Sequence, residues 1–156
     1  MTERYYNPFQ SIDINLPDEY RVILDTYCQT GKEAKRLIID KTPFPRMVDM
    51  WFLSLVIAAR KKLKPIELNK KKTYKIIDGV IFSSDPWRIN MIMLLCIGLK
   101  DDIEIVNNPR EMMKIANGLA VAGLPHLIDM LKDQKTEPVW NLSYAIEEIL
   151  KKQDSK

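Results

Sequence analysis

The sequence predicts a mainly α fold: a compact helical domain of about six helices around two highly apolar central helices, with a short N-terminal strand and a small β-hairpin. Three observations carry that expectation. Met47 to Ala59 contains only two polar side chains, Asp49 and Ser54, and Trp87 to Leu99 contains only Arg88 and Asn90. A helix that is apolar on every side belongs inside a protein or in a membrane, and a span needs about 20 apolar residues. The first stretch has thirteen before Arg60-Lys61-Lys62, which makes it the central helix of a protein core. Finally, prolines and capping residues divide the rest of the chain into helix-length segments whose apolar residues recur at steps of three and four.

Ser11-Ile12-Asp13-Ile14-Asn15-Leu16 alternates with period two, the mark of a half-buried strand. Pro17 with Asp18 and Glu19 suits the first turn of a helix, where a missing N–H costs nothing and acid complements the dipole. Tyr20, Ile23, Leu24, Tyr27 and Cys28 give that helix one buried face, and Gly31 ends it. Lys32 to Asp40 reads as a short helix or a strand. Thr42-Pro43-Phe44-Pro45 is a stiff turn into the central helix, which begins at Pro45 or Arg46, runs to about Leu63 and is stopped by Pro65. Asp78-Gly79 between Thr73–Ile77 and Val80–Phe82 is a hairpin signal.

Asp85-Pro86 starts the second apolar helix, which is expected to lie against the first. Asn108-Pro109-Arg110-Glu111 has the pattern of a capping box. The helix that follows carries Gly118 and Gly123 where close packing needs small residues, and Pro125 predicts a kink or restart. Thr136-Glu137-Pro138 opens the last helix, with Val139, Trp140, Leu142, Ile146, Ile149 and Leu150 on it.

A chain of 156 residues suits one domain. Residues 1–10 and 151–156 are expected to be flexible ends, and residues 11–150 a single helical domain with a lysine-rich linker, 64–72, inside it. Hydrophobic residues make up 46% and charged residues 29%, an ordinary globular balance that excludes disorder as the main state. Cys28 and Cys96 lie far apart among apolar neighbours, which favours two reduced, buried thiols over a disulfide or a metal site. No apolar signal segment opens the sequence and no stretch is long enough to span a bilayer, so a cytoplasmic location is expected.

Charge is unevenly placed. The total is +3, yet Arg60, Lys61, Lys62, Lys64, Lys70, Lys71, Lys72 and Lys75 face only Glu67 within residues 60–75, giving that window +7 and the remainder −4. Such a segment is a candidate contact for nucleic-acid phosphates or an acidic partner, and its plainer reading is a solvated linker.

The search for chemistry yields little. His126 is the only histidine and falls out of register with Leu124, Leu127 and Ile128, placing it at a helix surface. Gly31-Lys32 lacks the other residues of a phosphate-binding loop. Asp18 with Glu33 and Lys35 spells the Asp…Glu-x-Lys pattern of a nuclease superfamily, but Asp18 falls in a helix's first turn. Asp49 and Arg88, each the costly polar member of an apolar helix, are most simply a mutual ion pair. Trp51, Trp87 and Trp140 read as core or interface anchors. Strand, helix and helix in that order resemble the start of ribbon-helix-helix DNA-binding dimers, with Ser11, Asp13 and Asn15 outward.

A broader likeness runs from about Ile14 to Leu150. Phe44-Pro45-Arg46-Met47-Val48-Asp49-Met50-Trp51-Phe52 with Ala58-Ala59-Arg60-Lys61-Lys62, then Ile103-Glu104-Ile105-Val106, Ile115-Ala116-Asn117-Gly118-Leu119-Ala120, Ala122-Gly123-Leu124 and Leu127, resembles the small accessory proteins of DNA phosphorothioation (Dnd) and related antiphage defence operons. These motifs are structural. The resemblance implies a bacterial defence setting and an accessory, non-enzymatic role, with no catalytic residue carried over. The expectation is an adaptor that docks on a larger ATPase or nuclease and contacts DNA through the basic segment, with no cofactor, metal, membrane or small-molecule substrate. The alternative is a ribbon-helix-helix-like dimeric DNA-binding protein.

Overall fold

The computed structural model describes residues 6–30, 38–133 and 135–155, and the fold is mainly α with one two-stranded antiparallel sheet. The period-two pattern forms β1 (Asp13–Pro17), which buries Ile14 and Leu16 and turns Asp13 outward. Its partner is β2 (Thr73–Asp78), with Leu16 opposite Tyr74, Ile14 opposite Ile77, and a bulge between Ile14 and Asn15. The second half of the expected hairpin is not a strand, because Gly79–Ser84 coils into 3-10 turns.

Gly79 serves a close approach instead of a hairpin turn: a Cβ there would lie 2.0 Å from the Phe9 carbonyl oxygen. The chain before β1 crosses at that point. Phe9 is fully buried with its ring edge-on to Phe82, and the Asn7 side chain donates to the Gly79 carbonyl and the Ser83 hydroxyl, each at 3.0 Å. The expectation of a flexible 1–10 segment is thus corrected from Asn7 onward: an apolar ring and a satisfied amide tie it down.

After a 3-10 turn over Asp18–Tyr20, α1 (Arg21–Tyr27) buries Leu24 and Tyr27. The helix or strand expected over Lys32 to Asp40 lies outside the described residues except for a turn at Ile39–Lys41. The apolar central stretch forms α2 (Met47–Arg60), and Trp87 to Leu99 lies within α3 (Pro86–Lys100). These two were expected to pack on each other. The main partner of α2 is instead α4 (Pro109–Leu131), and α3 lies to one side of α4.

Small residues decide this pairing. A Cβ on Gly123 would fall 1.8 Å from the Ser54 carbonyl oxygen, so the backbones of α2 and α4 touch there. One on Gly118 would fall 2.6 Å from the carbonyl oxygen of Ile66, whose N–H donates to the Gly118 carbonyl at 3.1 Å. Helix α3 offers α2 no such stripe. Between α2 and α4, the buried Trp51 indole N–H donates to Asn117 Oδ1 at 3.1 Å. Helix α4 begins with Asn108 Oδ1 accepting from the Glu111 N–H, and it continues through Pro125, where a kink or restart was expected.

The last helix, α5 (Pro138–Asp154), packs on α4. Asn141 fastens the turn between them, donating to the Leu131 and Thr136 carbonyls and accepting from the Thr136 N–H. Residues 151–154 were assigned to a flexible tail and are helical. An ion pair between Glu147 and Lys151, one turn apart at 2.9 Å, and a basic last turn complementing the dipole support the extension. Among the described residues no helix is long and apolar enough to cross a membrane.

Candidate docking surface and basic segment

Because α2 and α4 pair with each other, α3 keeps an apolar side in water. Trp87 is 53% exposed, Met91 40%, Leu94 66% and Leu99 48%, and around Gly98 there is open space where a Cβ would point. Met91, Leu94, Leu95, Gly98 and Leu99 line a shallow depression along the helix. Apolar residues scattered singly on a surface are ordinary; a continuous strip along one helix is a candidate interaction site.

The start of α3 is held rigidly. Arg88 Nη2 donates to Asp49 Oδ1 at 2.6 Å, which is the ion pair the sequence suggested, and two further residues extend it. Arg46 binds Asp49 through Nε at 3.1 Å and Nη2 at 2.9 Å, and reaches Asp85 Oδ2 at 3.0 Å. Asp85 is the N-cap residue of α3, but its carboxylate is bound by Arg46 and makes no hydrogen bond to the helix's first N–H groups. Burial pushes the Asp49 carboxyl up, but hydrogen bonds from Arg46 and Arg88 and their charges outweigh it and hold the group below the usual carboxylate range. The Arg88 guanidinium also lies 4.9 Å from the Phe52 ring centroid and 5.1 Å from that of Trp87. Trp87 in turn meets Phe52 edge-on at 5.2 Å. One face of this tryptophan is therefore anchored while half its surface faces solvent.

The basic residues of the window are spread over α2, the connection that follows it and β2. Arg60, at the end of α2, donates to the Ile149 carbonyl of α5 at 3.4 Å. Lys61 is exposed beside it, and Lys62 adopts a left-handed conformation, φ 54°, that turns the chain back over α4. Lys70, Lys71 and Lys72 share one exposed 3-10 turn. Lys75, on β2, is matched by Asp78 at 2.5 Å and Asp13 at 3.5 Å, so its charge is locally balanced.

Lys62 and Lys64 meet two lysines that the sequence reading did not select, Lys100 at the end of α3 and Lys114 on α4. Together they rim a groove of about 640 Å³ between residues 62–67, α3 and α4, with Leu63, Ile66, Leu95, Leu99 and Ile115 among its apolar lining. Only three-dimensional folding joins these four cations, since nothing in the local pattern around Lys100 or Lys114 sets them apart.

Two of the catalytic candidates, Asp18 and His126, fall among the described residues. Asp18 is exposed and pairs with Arg21 at 3.5 Å, whereas Gly31, Lys32, Glu33 and Lys35 lie outside the described residues. His126 is half-buried on α4. Among the described residues no group of three or more His, Cys, Asp or Glu side chains is placed to hold a metal ion. β1 pairs with β2 of its own chain, where a ribbon-helix-helix dimer would pair it with a partner's strand.

Both cysteines are buried. Burial, with the charges of Asp49 and Asp25 adding to it, pushes the Cys28 thiol up to about 12. Burial and the nearby Glu111 push Cys96 up to about 11. Thiolate, the reactive form, is correspondingly scarce. Titration with an aromatic disulfide reagent at mildly alkaline pH is expected to label neither thiol in the native protein, at least ~100-fold slower than free cysteine, and both after denaturation. Fast labelling of the native protein would contradict the buried placement.

Comparison with known protein families, curated proteins and solved structures finds no match to this chain.

Proposed function

We propose that this protein is a non-catalytic adaptor subunit of a bacterial antiphage defence complex, docking on a larger ATPase or nuclease. One observation carries the adaptor part: a helix held rigidly at its start by a four-residue ion-pair cluster presents Trp87, Met91, Leu94 and Leu99 to solvent. Covering side chains such as Leu94 and Trp87 is favourable by about 1–2 kcal/mol each, which gives a partner reason to bind there. The defence setting and the identity of the larger subunit rest on the resemblance of Phe44–Phe52, Ala58–Lys62, Ile103–Val106, Ile115–Ala120, Ala122–Leu124 and Leu127 to the accessory proteins of phosphorothioation operons, and the cytoplasmic location on the lack of a signal segment or membrane span in the sequence. In this reading the exposed turn of Lys70, Lys71 and Lys72 adds a contact to DNA phosphates.

A tagged pull-down from the native host, with half the lysate treated with nuclease, tests the proposal. Recovery of one larger ATPase or nuclease, identified by mass spectrometry and insensitive to the treatment, is the expected result. Recovery of the chain alone, or of partners only while DNA is intact, replaces it with direct DNA binding by a dimer. That alternative predicts an affinity falling steeply with salt, and a shallower slope once Lys70, Lys71 and Lys72 are alanine.

A further inference from the structure

The lysine-rimmed groove lies beside the exposed strip of α3 and shares Leu95 and Leu99 with it. Building on the adaptor reading, we propose that this groove receives an acidic amphipathic helix of the partner protein. Shape gives the first argument. Two of the groove's walls are helices, α3 and α4, so a third helix laid between them would extend the same helical layer. Its volume of about 640 Å³ accommodates roughly the three or four apolar side chains that one stripe presents over two turns.

Charge gives the second argument. Lys62, Lys64, Lys100 and Lys114 stand against only Glu67 and Glu111, leaving the rim positive by two charges. Lys114 is partly matched by Glu67 at 3.7 Å, which leaves Lys62, Lys64 and Lys100 to face an incoming acid. The four lysines and Glu67 are exposed and Glu111 is half-buried, so no charged group of the lining is fixed inside. A small-molecule site would instead place a few polar groups within the cavity to orient its ligand. An apolar floor with a charged rim is the anatomy of a protein interface, and a helix seated in a groove is a recurring form of it. Nucleic acid would find little on an apolar floor to receive phosphate.

The test uses the full chain with methyl-labelled isoleucine and leucine. Its probes are two stapled helical peptides that share a leucine stripe and differ in their flanks, glutamates on one and lysines on the other, with dodecanoate as a third. The expected result is that the glutamate peptide shifts the methyl signals of Leu63, Leu95, Leu99 and Ile115 and binds at least ~10-fold tighter than the lysine peptide. Lys64→Glu combined with Lys100→Glu, both exposed, is expected to reverse that preference. Methyl signals unmoved by the glutamate peptide, equal binding of both peptides, or a response to dodecanoate alone would overturn the inference. The adaptor reading fails separately. A partner captured equally by wild type and the Lys64→Glu, Lys100→Glu variant keeps the adaptor and discards the acidic helix. Selective binding of the glutamate peptide with no captured partner does the reverse.

Discussion

Gly123→Ala is expected to cost about 3 kcal/mol or more, because the added carbon has nowhere to go. Its ideal position is 1.8 Å from the Ser54 carbonyl oxygen, 2.8 Å from that residue's carbonyl carbon and 3.1 Å from the Ala58 nitrogen. All three are backbone atoms of α2, so no side chain can swing aside, and the two central helices must part. Parting them loosens the contacts around Trp51 and Asn117 as well. Gly98→Ala provides the control. Nothing lies within 4 Å of a Cβ at that exposed position of α3, and exchanging glycine for alanine in an open helix stabilises by about 0.5–1 kcal/mol. Urea unfolding of the two variants checks both signs; equal effects would contradict the close crossing of α2 and α4.

Asp49→Ala is the second large loss, about 3–5 kcal/mol. Removing this carboxylate leaves Arg88, buried and bonded to it at 2.6 Å, without its counter-charge, and takes from Arg46 one of its two acidic partners. A loss below about 1 kcal/mol would instead be that of a surface pair. The same group gives a pH dependence. Its folded pKa lies below the ordinary value because the bonds from Arg46 and Arg88 outweigh its burial. A depressed carboxyl contributes its full stability above its unfolded pKa, about 3.9, and loses it as pH falls through the lower folded value. The gap in unfolding free energy between wild type and Asp49→Asn is therefore expected to narrow between about pH 6 and about pH 3. A constant gap would mean that the arginines do not hold the carboxylate.

Much of this architecture was legible in the residues. The apolar run of α2, the alternation of β1, the ion pair of Asp49 and Arg88, the spacing of Gly118 and Gly123 and the two buried thiols each have a local signature that the fold uses. What escaped was decided by distant partners. Asp78-Gly79 has the composition of a hairpin turn, yet its glycine makes room for the Phe9 carbonyl and β2 pairs with a strand far upstream. Helix α3 is almost as apolar as α2, but apolarity does not say which helices can approach closely, and the small residues that allow it lie on α4. Phe9 in a polar N-terminal stretch gave no periodic sign that it is buried. The groove was least legible of all, since Lys62, Lys64, Lys100 and Lys114 come from three elements and share no motif.

The most direct test of a docking role compares Leu94→Glu with wild type in folding and in capture. Leu94 is 66% exposed on the outer side of α3, so the variant is expected to unfold within about 0.5 kcal/mol of wild type. Capture of the proposed ATPase or nuclease partner is expected to fall at least ~10-fold, since a charge is placed in the centre of the apolar strip. Undiminished capture by a fully folded Leu94→Glu protein would contradict the assignment of this face as the docking surface.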